Sequence, residues 1–127
     1  MAITQDWLMR QIEIIGRTIA KLIFNKDSPQ YIILDYQQLT ETDMVYNKLL
    51  ELIDDGKINE AENILFDKIE EELEDNPENK NYLEVAIDFY SRLNELDNKT
   101  LDNCGFERDE IDEGIREVAD MYGINII

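Results

Sequence analysis

Carboxylates dominate the chemistry open to this chain. Glu70, Glu71, Glu72, Glu74 and Asp75 crowd the end of one segment, and clustered oxygens of this kind hold divalent cations. A cation loop, however, needs its oxygen ligands at fixed spacings. Neither Asp97-x-Lys99 nor Asp75-x-Pro77 supplies them. The run therefore reads as a solvated face. Cys104 is the one thiol, with Asp102 and Glu107 nearby and Arg108 only beyond them. No positive field favours its thiolate, so a structural role is expected. Ser28 and Ser91 lie in no nucleophile elbow, and the five scattered glycines form no phosphate cradle. Histidine is absent, which removes the Ser-His-Asp triad, the Cys-His pair, the His-bearing zinc site and the Glu-x-x-His di-iron bundle. The reading is of a protein with no catalytic residues, no metal site and no cofactor. No enzyme is expected.

These groups are carried on 127 residues, enough for a single domain over 1–127, and 43% hydrophobic content suffices for one core. Two prolines and five glycines are too few for a many-turned β protein. One cysteine forms no internal disulfide and gives no sign of an oxidising compartment. The formal charge is −18, which sets the chain against nucleic-acid phosphates and anionic lipid. The acid is unevenly spread. Residues 1–26 hold four bases against two acids, a net of +2, while the rest holds eight bases against twenty-eight acids, a net of −20. Such a segment fits an acidic body, its own or a second copy's.

Helical periodicity runs through most of the sequence. Leu8, Ile12, Ile15, Ile19, Leu22 and Ile23 form an apolar stripe on a long amphipathic helix within 1–26. Asp6 with Arg10 and Glu13 with Arg17 have the spacing of helix ion pairs, each worth about 0.2–0.5 kcal/mol. Gly16 costs this helix about 1 kcal/mol unless a neighbour packs close against it. Charges interrupt the apolar positions too often for a signal peptide or a membrane span, so a cytoplasmic location is expected. After a break at 25–30, Tyr31 to Gln38 reads as a short helix. Repeat-like helices follow over 41–94: one capped by Thr40 and ended by Gly56, one from Ile58, and one opened by Asn76-Pro77. The connection 97–105 has room for one helical turn. A last helix within 106–123 has Phe106 as a hydrophobic staple and Gly123 just past its end. The fold expected is all-α, a bundle of five or six helices.

Two resemblances add to this reading. LLELIDDGKINEAENILFDKI, with Gly56 at the turn and Ala61 five residues later, resembles a tetratricopeptide repeat hairpin. That family implies protein or peptide binding. The opening QDWLMRQIEIIGRTIAKLIF and the closing GFERDEIDEGIREVADMYGI resemble an uncharacterised family of small acidic helical bacterial proteins. It implies a bacterial, cytoplasmic, all-helical protein and no particular activity.

The sharpest candidate is a surface. Trp7 and Ile14 fall outside the main stripe of the first helix, Lys21 continues their heptad line, and Phe24 lies towards the basic side with Arg10 and Arg17. Burying Trp7 alone is worth about 2–3 kcal/mol to whatever covers it. Three occupants stay open: the chain's own bundle, a second copy in a homodimer, and a membrane interface. The function expected is a non-enzymatic interaction module that self-associates through Trp7, Ile14, Arg10, Arg17, Lys21 and Phe24. The alternatives are a peripheral membrane adaptor using the same helix and a peptide-binding tetratricopeptide-like domain.

Overall fold

Between Tyr82 and Leu93 the apolar side chains cover more than half of the helical wheel, with Glu84, Asp88, Ser91 and Arg92 on the remaining arc, and so wide an apolar face must be buried by several neighbours. This requirement organises the architecture. The computed structural model describes residues 5–125. Within them six helices form and no strand: α1 (Gln5–Phe24), α2 (Glu41–Asp54), α3 (Ile58–Asp75), α4 (Asn81–Asn94), α5 (Asn98–Asn103) and α6 (Arg108–Met121). The chain is an all-α bundle, and α4 is its hub, packed by α1, α2, α3 and α6. The expectations for residues 1–4 and 126–127 lie outside the described residues.

Three neighbours run antiparallel to the hub. Asn94 Nδ2 donates to the Met9 carbonyl at 2.9 Å while Lys26 reaches Glu84 at 2.7 Å, which fixes α1. On α3, Glu62 meets Tyr90 and Glu72 meets Tyr82. On α6, Arg108 donates to the Asn94 carbonyl at 2.7 Å and Gly114 lies against Tyr90. The last approach requires glycine, because a Cβ at 114 would overlap the Tyr90 hydroxyl and ring. Gly16 is also enclosed, with Ser91 Oγ 3.3 Å from where a Cβ would stand and Pro29 behind it.

The termini follow their sequence signals. Thr40 and Asp43 form a capping box on α2. Gly56 takes φ +77°, donating to the Ile53 carbonyl while Lys57 donates to that of Leu52, and α3 then folds back along α2. Lys68 closes this hairpin on Glu41 at 3.3 Å. Ala61 is fully buried. Both hairpin helices lay apolar residues against α4, so that side of the hairpin is filled and presents no groove.

Four expectations need correction. Residues 31–38 are extended rather than helical: Tyr31 and Ile33 point inward, Ile32 and Leu34 outward, and Asp35 closes a turn by accepting the Gln37 amide at 2.9 Å. This strap is held by side chains far along the sequence. Asn76-Pro77 opens a turn, and α4 starts only at Asn81, because the Glu72 carboxylate accepts the amides of Asn81 and Tyr82 at 3.2 Å each. Glu72 is therefore buried, unlike the rest of its acidic run. Leu22, counted in the buried stripe of α1, faces outward at 68% exposure.

Candidate functional site

The strap's anchor is the most elaborate polar cluster in the molecule. It begins with Asp88, an acidic residue in the apolar run of α4, 3% exposed. Its Oδ2 accepts the Tyr31 amide at 2.8 Å and the Tyr46 hydroxyl at 3.0 Å, and its Oδ1 accepts Arg92 Nε at 2.7 Å. Arg92 also donates to the Tyr46 hydroxyl at 2.8 Å. The Tyr31 and Tyr46 rings lie 4.7 Å apart, and the Tyr31 hydroxyl donates to Asp43. Burial, then the bond to Asp43, pushes the Tyr31 phenol well up. Burial, then the Asp88 charge, pushes Tyr46 to about 12. The Tyr31 hydroxyl in turn holds the Asp43 carboxyl below its usual range. A buried carboxylate is tolerated only when its oxygens are satisfied, and here both are.

Beside this cluster a cleft of about 490 Å³ opens between α1, α4 and the start of the strap. Glu13, Arg17, Asp27, Ser91, Arg92 and Glu95 line it. Asp88 forms its floor, but that carboxylate is committed to the strap and to Arg92. The geometry gives it the work of an anchor.

Elsewhere, among the described residues, two stretches of the surface expose large apolar side chains. On α1, Trp7 is 47% exposed and Ile14 50%, and Leu22 completes the strip. Positions seven apart on a helix lie about 20° apart around its axis, so Trp7 and Ile14 form one line. Arg10, Arg17 and Lys21 are exposed on its flank. Arg17 comes within 4.0 Å of Glu13, and Lys21 within 3.8 Å of Asp27, pairs too solvated to hold these bases firmly. The expected pair of Asp6 with Arg10 does not form among the described residues. Phe24 departs from the other five candidates. It is half-buried, packs against the core and carries the Lys26 ammonium 6.0 Å from its ring centre. A second strip follows on the strap and the first turn of α2: Ile32, Leu34 at 94% exposure, Tyr36, Leu39 and Met44.

A family model described as a family of unknown function matches residues 2–123. The chain belongs to the DUF6483 family. No curated protein and no solved structure matches it. The matched range takes in α1, the strap and all the later helices, so the DUF6483 unit is the whole bundle with both apolar strips attached. Among the described residues of this DUF6483 chain, no helix is long and apolar enough to cross a membrane.

Sequence reading missed the Asp88 cluster and the second strip. Asp88 had one visible signal, a lone acid at a core position of YLEVAIDFY. The strap had another, the alternation of Tyr31 and Ile33 with Ile32 and Leu34, which is the period of an extended chain. Its four-residue run is too short for that period to be told from a helix without knowing its anchor.

Proposed function

We propose that this bundle is a non-enzymatic interaction module that forms a homodimer through α1, in a bacterial cytoplasm. The observation that carries the reading is the strip of Trp7, Ile14 and Leu22, left open to water beside Arg10, Arg17 and Lys21. Contiguous apolar surface on a soluble chain marks a contact site. Its surroundings narrow the partner. Residues 1–26 are the net-positive part of a chain whose remainder carries −20, so two copies repel each other least when α1 lies between them. A single thiol and a surface strongly acidic outside α1 are compatible with a reducing, protein-rich compartment.

Sedimentation equilibrium tests this directly. The intact chain is expected to weigh as a dimer, and the chain carrying Trp7→Glu and Ile14→Glu as a folded monomer. Both positions are half-exposed, so the substitutions leave the core in place. A monomeric intact chain that floats with anionic vesicles would transfer the same strip to a membrane surface and end the dimer reading.

A further inference from the structure

The self-association reading leaves open what α1 packs against, and the distribution of exposed apolar side chains answers it. Among the described residues, every large apolar side chain exposed to solvent lies in one of two stretches, 7–22 and 32–44; residues 45–125 expose none. The two stretches are opposite in charge. The first carries Arg10, Arg17 and Lys21 along its flank. Residues 32–44 hold three acids and no base; Asp35 and Glu41 are exposed, Glu41 shared with Lys68.

Two copies can bring these strips together in three ways. α1 on α1 sets two net-positive flanks together, each with Arg10, Arg17 and Lys21 against Asp6 and Glu13. Strap on strap sets acids against acids. Of the three, α1 on the strap joins apolar surface to apolar surface with a net-positive flank against a net-negative one. In a two-fold dimer that contact occurs twice, since each copy offers both halves. We infer that in the homodimer α1 of each copy seats on residues 32–44 of the other. This rests on the dimer reading above and names its second surface. It also gives Leu34 a role. A leucine held 94% in water by an anchored strap is a side chain presented, not one left over.

The test is complementation between two defective chains, followed by sedimentation equilibrium. One chain carries Trp7→Glu and Ile14→Glu; the other carries Leu34→Glu. Leu34 has almost no contact with its own bundle, so that variant keeps its fold, and circular dichroism melts verify both. Each variant alone should dimerise about 30-fold more weakly or worse, the range of a central interface residue. Mixed in equal amounts they should recover a heterodimer, because an unaltered α1 on one chain meets an unaltered strap on the other. If Leu34→Glu dimerises as well as the intact chain while Trp7→Glu with Ile14→Glu does not, α1 meets α1. The strap is then excluded and the dimer reading survives. If both variants fail alone and the mixture stays monomeric, the reciprocal contact is wrong. If the intact chain is itself monomeric, both readings fall together.

Discussion

Tyr31 donates its backbone amide to a carboxylate fifty-seven residues further along, meeting Asp88 Oδ2 at 2.8 Å. Through this bond the strap is tied to the hub helix rather than to its sequence neighbours. The same carboxylate also orients Arg92 and Tyr46, so one buried charge serves three donors.

Asp88→Asn should therefore destabilise the bundle and loosen the strap together. An amide has one accepting oxygen for three donors and no charge for Arg92. Breaking a buried pair costs about 3–5 kcal/mol, and the partial exposure of Arg92 lowers this to about 2–3 kcal/mol. Urea midpoints measure the loss, and hydrogen exchange at the Tyr31 amide should quicken by more than the global loss accounts for. An unchanged midpoint contradicts the anchor.

Two helical glycines should respond unequally to alanine. Gly114→Ala pushes a methyl group into the Tyr90 ring, and overpacking of this kind costs about 1–3 kcal/mol, more than the helix-propensity gain of about 1 kcal/mol. Gly16→Ala meets a rotatable Ser91 hydroxyl at 3.3 Å and Pro29 at ordinary contact distance, and should change stability by less than about 0.5 kcal/mol. Equal losses at both positions in thermal or urea melts would refute the contrast.

Acidification should first strengthen the bundle. Burial raises the Glu62 carboxyl above its ordinary 4.5, opposed by its bond from the Tyr90 hydroxyl and reinforced by Glu110, Glu113 and Glu117. A raised carboxyl binds its proton more tightly in the folded chain. Its contribution is complete below the unfolded value and is lost as pH rises through the folded one. Melting temperature should climb between pH 7 and about 5, and Glu62→Gln should flatten part of that climb. Asp43, held low by Tyr31, has the opposite sign, and its contribution disappears as pH falls below the ordinary carboxylate range. A melting temperature that falls steadily from neutrality would be inconsistent with the Glu62 environment.

Added salt should also stabilise the fold. A net charge of −18 repels itself, and at physiological ionic strength screening acts over about 8 Å. The ion pairs that salt would weaken are mostly exposed and contribute little. Melting midpoints across a sodium chloride series should rise; a flat or falling series would show that attraction outweighs repulsion.

The helices were legible because their information is local. Leu49, Leu52, Leu65 and Ile69 recur at helical spacing, and Thr40, Gly56 and Gly123 mark ends by chemistry that acts within a turn or two. The outward line of Trp7 and Ile14 was visible for the same reason: a heptad separation fixes a direction on a helix. What escaped was long-range. Nothing near Tyr31 announces that its partner is Asp88, and nothing near Pro77 announces that Glu72 holds the start of α4 four residues later. Leu22 fits the stripe by spacing and is exposed because no later element covers its edge of α1.

The hub helix also sets an order on the birth of the molecule. α2 and α3 can pair with each other as they emerge, but α1 and the inner side of that hairpin have no hub to close upon until residues 81–94 have left the ribosome. The residues before Asn81 must wait, part of their oily sides unsheltered, for one late segment to arrive. A nascent chain stopped short of Asn94 is thus a ready client for chaperones, whereas one extended through α6 can shut its interior.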